Sequence, residues 1–308
     1  MNLSTHHILG VEDLNNQDVE LILKTAENLK EISLRPVKKV PALRGKTILL
    51  CFFEPSTRTR ASFEMAAKRL SADTLNFSAS DSAINKGESL LDTVRNLQAM
   101  DPDLLVVRHG FSGIPHLLAR AVRCPVINAG DGLHEHPTQA LLDLLTIQNI
   151  KKKIKGLNVA IIGDIAHSRV ARSNILLLTK MGVKVSVAGP ASMMPAAIDQ
   201  YDVEVAYDIR EVIPKADVIM MLRIQRERQD ACRFPSLREY ARFFGLNKQT
   251  MKDAKKDVVI MHPGPVNRGV EIAPEIADSP HSVILDQVTN GVAVRMALLY
   301  LLCGGKEI

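Results

Sequence analysis

The 308-residue chain carries 39 Lys and Arg against 34 Asp and Glu, a net charge of +5, with 46% hydrophobic residues and four cysteines. That length fits about two domains, the apolar content excludes a disordered chain, and no apolar run approaches the roughly 18 residues of a membrane span. The small positive surplus hints at an anionic ligand but is too dispersed for nucleic acid, and 4% aromatic content without tryptophan leaves little surface for stacking bases.

Cys51, Cys124, Cys232 and Cys303 are scattered with no Cys-x-x-Cys spacing, which points to buried free thiols rather than a disulfide framework or a zinc ribbon. The first ten residues lack the charged-then-apolar pattern of a secretory signal, so a cytoplasmic protein is expected.

Along the chain, β-branched or leucine-rich runs occur at residues 47–53, 74–77, 104–107 and 126–129, and again at 158–162, 184–188, 203–207, 218–222 and 258–261. Nearly continuous apolar strands alternating with helical stretches predict parallel sheets covered on both faces. The fold class is therefore α/β, with two doubly wound parallel-sheet domains joined by helices. Residues 137–150 read as a helix with Ala140, Leu141, Leu144, Leu145 and Ile147 on its apolar side, ending in Lys151, Lys152, Lys153 and Lys155. Those lysines suit a solvated helix end favoured by the macrodipole. The boundary is placed there, giving domains of residues 1–150 and 151–291, with the apolar C-terminal helix of 292–308 packing back onto the first.

The chemistry gathers at strand ends. Glu54-Pro55-Ser56-Thr57-Arg58-Thr59-Arg60 follows an apolar strand and precedes a helix carrying Phe63, Ala66, Ala67 and Leu70. Backbone N–H groups at a helix start, three hydroxyls and a guanidinium can surround a phosphate; a capped helix with exposed arginines is the plainer alternative. The segment lacks the Gly-x-x-x-x-Gly-Lys of a nucleotide-triphosphate loop. Arg108 and His109 follow the third run, and His134, His136, Thr138 and Gln139 follow the fourth. A histidine at a helix start beside an arginine can stabilise charge developing on a carbonyl oxygen. The spacing His134-x-His136 is compatible with a metal, with Asp131 or Glu135 adding a carboxylate, but it completes no familiar ligand motif and no metal is assigned.

In the second half, Arg169, then Arg223 and Gln225, lie after apolar runs, where guanidinium forks suit carboxylates and salt bridging is the plainer role. Met261-His262-Pro263-Gly264-Pro265 forms a rigid turn that can aim backbone carbonyls at a ligand N–H. Ala160-Ile161-Ile162-Gly163-Asp164 prompts a dinucleotide-binding reading but lacks Gly-x-Gly-x-x-Gly.

Together, Ser56-Thr57-Arg58-Thr59-Arg60, Arg108-His109, His136-Pro137-Thr138-Gln139, Arg223-x-Gln225 and His262-Pro263-Gly264-Pro265 resemble the catalytic subunits of aspartate carbamoyltransferases, in order over nearly the whole chain. The resemblance implies a carbamoyl-phosphate domain, an aspartate domain and a homotrimer with shared active sites. It implies transfer of a carbamoyl group to the amino group of L-aspartate in pyrimidine synthesis, without a metal; no cofactor is expected, and the composition points to neither a nucleic acid nor a membrane as partner. Attachment of regulatory or dihydroorotase chains stays open.

Carried over residue by residue, the resemblance implies that Ser56, Thr57, Arg58 and Thr59 hold the phosphate and Arg108 reaches phosphate and carbonyl oxygen. It implies that His136 and Thr59 polarise the carbonyl, while Gln139 and the backbone carbonyls around Pro263, Gly264 and Pro265 take the carbamoyl N–H groups. Arg169, Arg223 and Gln225 would clamp the aspartate carboxylates, and Ser82 and Lys86 would arrive from a neighbouring subunit. The related ornithine branch typically carries a His-Cys-Leu-Pro turn, and Arg223 would repel ornithine's cationic chain. Gly264 stands where the resembled family often has Leu, and the Gly264-Pro265 bond is expected to be cis.

Overall fold

The computed structural model describes residues 3–78, 88–224 and 236–304. The chain divides into two compact units, Met1–Leu142 with Thr289–Ile308, and Asp143–Val288.

In the first unit, α1 (Asn16–Lys30) starts at Asn15, whose side chain accepts from the Asp18 N–H while Asp18 reciprocates. Then come β1 (Thr47–Phe52), α2 (Thr57–Arg69), β2 (Asp73–Ser78), α3 (Leu90–Gln98), β3 (Leu104–His109), α4 (Ile114–Ala119), β4 (Val126–Asp131) and α5 (Pro137–Lys151). The strands form one parallel sheet in the order β2-β1-β3-β4. Ile48, Leu49, Leu50 and Cys51 of β1 are all buried, so both faces of that strand are covered, which is why its run lacks alternation. Leu49, Cys51, Leu105, Val107 and Val126 pack with Val94, Leu118 and Cys124 as the core of one face.

The second unit contains β5 (Asn158–Ile162), α6 (Arg169–Lys180), β6 (Lys184–Ala188), β7 (Val203–Ala206), α7 (Ile209–Val212), β8 (Val218–Met221), α8 (Leu237–Phe244), β9 (Val259–Met261) and α9 (Pro274–Ala277). Its parallel sheet runs β7-β6-β5-β8-β9. The core cluster joins Ala160, Ile162, Ile219, Met221 and Ile260 of the strands to Ile209, Tyr240 and Phe244 of the helices. Gly163 leaves β5 at φ +136°, a backbone open essentially to glycine, and a Cβ there would lie 2.9 Å from the Leu222 Cβ.

Two helices span the division of the chain. α5 passes from one unit to the other after Leu142, and α10 (Ile284–Leu302) does so at Thr289. α10 starts eight residues earlier than its apolar stretch predicts, because Gln287 and Asn290 are buried although polar. At the end of α5, Lys151 bonds to Asp257 at 2.8 Å, whereas Lys152, Lys153 and Lys155 are exposed as a solvated helix end should be. Cys51 and Cys124 are buried free thiols; burial pushes the Cys124 thiol up to about 11 and Cys51 higher still. Cys232 lies outside the described residues.

Candidate active site

In the first sheet the chain runs from β1 outward to β2 and then returns to place β3 on the other side of β1. Loops after β1 and β3 therefore diverge and leave a crevice at their carboxyl ends, where open α/β sheets bind ligands. Ser56, Thr57, Arg58 and Thr59 fill the turn after β1 and the first turn of α2. No acidic residue lies in that first turn, so its N–H groups and positive dipole end are not countered there. Ser56 occupies the cap position without making a side-chain capping bond, which disfavours the plain capped-helix reading. Thr59 is buried, while Thr57 and Arg58 are exposed.

Arg108, the last residue but one of β3, lies opposite Phe52 of β1. Its guanidinium donates to Glu54 Oε1 at 3.2 Å and to the Ala129 carbonyl at 3.1 Å. These partners, one in the turn after β1 and one on β4, fix a long, flexible side chain at the switch point before any ligand arrives. His109 accepts from the Phe111 N–H at 2.9 Å, and burial lowers its pKa, favouring a neutral ring.

The turn from β4 to α5 is built by Asp131, whose carboxylate accepts from Asn128 Nδ2, the Glu135 N–H and the Gly113 N–H at 2.8, 3.1 and 2.7 Å. Although burial pushes its pKa up, bonds from His134, Asn128 and Gly113 together hold it below the ordinary carboxylate value. Glu135 turns inward to accept from the Val11 N–H. The turn delivers His136 and Gln139, both buried, to the start of α5. His136 Nδ1 lies 3.4 Å from the Thr138 hydroxyl.

Arg295 of α10 braces the two helix starts. It donates to Ser62 on α2 at 2.9 Å and to Thr138 on α5 at 3.4 Å, and its guanidinium lies 5.2 Å from the Phe63 ring centroid.

The second unit has its switch point between β5 and β8. Arg169 opens α6 after the β5 turn and is buried, with Ser168 capping the helix; Arg223 follows β8 and is half-buried. In the turn after β9, the Gly264 N–H donates to His262 Nδ1 at 2.8 Å. That acceptor role puts the proton of the neutral ring on Nε2, which lies 3.0 Å from Glu271 Oε1. Gly264 adopts φ +64° and its bond to Pro265 is cis, as expected from sequence.

A family model described as the aspartate/ornithine carbamoyltransferase carbamoyl-P binding domain matches residues 6–149, and that of the Asp/Orn binding domain matches residues 155–302. The chain belongs to the aspartate/ornithine carbamoyltransferase family. An aspartate carbamoyltransferase catalytic subunit from Syntrophus aciditrophicus is 65% identical over 300 residues, covering 97% of this chain and 98% of that protein. A structure of aspartate transcarbamoylase from Trypanosoma cruzi with carbamoyl phosphate and aspartate is 30% identical, covers 96% of this chain and 94% of its own, and superposes with a TM-score of 0.86. An ornithine carbamoyltransferase from Pyrococcus furiosus is 33% identical, with full coverage of both chains and a TM-score of 0.88. Backbone likeness is thus shared by both branches.

Within the first unit, the carbamoyltransferase fold brings Ser56, Thr57, Arg58, Thr59, Arg108, His136 and Gln139 to one edge of one sheet. In the second, Arg169 and Arg223 flank the switch point and Pro263, Gly264 and Pro265 follow β9. Ser82, Lys86 and Gln225 lie outside the described residues. Sequence reasoning missed the bracing roles of Glu54 and Arg295. For Arg295 a signal existed, since it is the single charge between Asp286 and Lys306.

Replacing Arg295 by Leu removes the donor shared by Ser62 and Thr138. It is expected to lower stability to urea by about 2–4 kcal/mol, a range set by losing charged hydrogen bonds from a buried site. An unchanged urea midpoint would show that the two helix starts hold themselves.

Proposed function

We propose that this chain transfers the carbamoyl group of carbamoyl phosphate to the amino group of L-aspartate, giving N-carbamoyl-L-aspartate and phosphate for pyrimidine synthesis. The observation that carries the reading is the convergence of Ser56, Thr57, Arg58, Thr59, Arg108 and His136 on the carboxyl ends of three adjacent parallel strands. Support for aspartate comes from the identity to the curated aspartate carbamoyltransferase and from a Pro263-Gly264-Pro265 turn in place of the ornithine branch's Cys-Leu-Pro.

On this reading residues 1–150, with the helix of 292–308 packing back, form the carbamoyl-phosphate half and residues 151–291 the aspartate half. The α2 start, with the Ser56, Thr57 and Thr59 hydroxyls and Arg58, holds the phosphate by charge-assisted hydrogen bonds. Arg108 and His136, with Thr59, donate to the carbamoyl oxygen, while Gln139 and the carbonyls around Pro263 and Gly264 accept from the carbamoyl NH2. Arg169, Arg223 and Gln225 take the two carboxylates. The neutral amine of aspartate attacks the carbamoyl carbon, negative charge collects on its oxygen, and the bond from carbon to the phosphate ester oxygen breaks. The departing phosphate can accept the proton that the amine loses. Fixed donors aimed at the developing oxyanion lower the barrier because they need no reorganisation as charge appears. No metal or cofactor enters the scheme. The chain is assigned to the cytoplasm; no helix among the described residues is long and apolar enough to cross a membrane.

Offered aspartate and ornithine separately, the purified protein is expected to consume carbamoyl phosphate only with aspartate. Arg223→Ala should raise the KM for aspartate about 10- to 100-fold, the effect of losing roughly 1.5–3 kcal/mol of charged hydrogen bonding. Turnover with ornithine would overturn aspartate as the substrate, and a raised KM for carbamoyl phosphate alone would reverse the assignment of the two halves.

The proposal includes a homotrimer in which Ser82 and Lys86 serve a neighbour's site. Inactive Lys86→Ala chains mixed with inactive Arg58→Ala chains should regain activity, because a closed ring containing both has one junction joining an intact Arg58 to an intact Lys86. Hybrid trimers confirmed by native mass spectrometry yet inactive would remove Lys86 from the shared site.

A further inference from the structure

Three potential metal ligands meet beside the turn that leads to α5. His116 lies on α4, Asp131 ends β4, and His134 follows in the turn; a ligand atom of each lies within 4.8 Å of the other two. Asp131 Oδ2 and His134 Nδ1 are 3.2 Å apart, close to the ~3.3 Å edge of a tetrahedron with metal–ligand bonds of about 2.0 Å. The two imidazoles approach edge to face with centroids 5.6 Å apart.

The surroundings are those of a held ligand. Asp131 is fully buried, and the Asn128, Glu135 and Gly113 donors orient its carboxylate as outer hydrogen bonds orient a metal-binding group. Oδ2 accepts from the Gly113 N–H and meets His134 Nδ1 at 3.2 Å, a contact that a bound ion would replace by two metal–ligand bonds. His116 Nδ1 is buried and has no hydrogen-bond partner among the described residues. The sequence pairing of His134 with His136 is therefore not the one the fold favours; the third group comes from α4.

We propose that His116, Asp131 and His134 bind a divalent transition ion of the zinc class, with water completing a four-coordinate sphere. Two imidazoles and one carboxylate match such an ion, whereas magnesium and calcium require oxygen-dominated spheres. Bound there, the ion links α4 to the turn 131–136 and steadies the approach to His136 without contacting substrate.

The test uses full-length protein stripped with chelator and titrated with Zn2+ by calorimetry. One saturable site per chain is expected, with affinity lowered on the order of tenfold or more in both His116→Ala and His134→Ala. Zinc should raise the melting temperature of the wild type and leave that of the variants unmoved. Equal binding by wild type and variants would place the ion at other histidines and overturn the proposal, as would the absence of saturable binding. Should a variant fail to fold, Co2+ added to the wild type decides the matter. Intense visible bands of four-coordinate cobalt support the site, and the pale spectrum of the hydrated ion refutes it.

Discussion

Parallel pairing of β1 with both β2 and β3 is the constraint on which the first unit depends. Parallel strands cannot be joined by tight hairpins, so each needs a crossover, and all the loops that follow the strands leave from one edge. Because β3 returns to the far side of β1, the loops after those two strands part rather than collide. The α2 start and Arg108 consequently stand on either side of one crevice, with the β4 turn beside them. The second unit repeats the device between β5 and β8, flanked by Arg169 and Arg223.

An edge rich in arginine would repel itself and sample many rotamers unless its charges were tethered. Arg108 is held by Glu54 and the Ala129 carbonyl, and Arg295 by hydroxyls on α2 and α5. The ionised Asp131 organises the turn that presents His136. In the second unit, His262 links the Gly264 N–H to Glu271, so the cis turn is fixed by a buried relay as well as by proline. These contacts lie one layer behind the groups proposed to touch substrate. They hold donors in place before ligand arrives, which is what electrostatic catalysis requires.

Strands were legible in the sequence because both sheet faces are covered, leaving continuous apolar runs such as Ile48, Leu49, Leu50 and Cys51. The α5 helix was legible from its apolar side chains and lysine end. The first turns of α10 were not, since Gln287 bonds the His262 N–H and Asp143, and a buried polar residue reads as exposed when its partners are distant in sequence. Among the proposed site residues, those in compact motifs at strand ends could be singled out locally. Glu54 and His116 could not, because their meaning depends on crossovers that only the folded sheet defines, and Arg295 showed only as a lone charge in an apolar helix, without its partners.

The most direct measurement of the account is a calorimetric titration of wild-type protein and Arg108→Met with carbamoyl phosphate in the absence of aspartate. Wild type should bind one ligand per chain. The variant, confirmed as folded by circular dichroism, should bind about 10- to 100-fold more weakly, the equivalent of losing roughly 1.5–3 kcal/mol of charged hydrogen bonding. Unaltered affinity in a folded Arg108→Met protein would contradict the claim that the carboxyl edge of the first sheet is the carbamoyl-phosphate site.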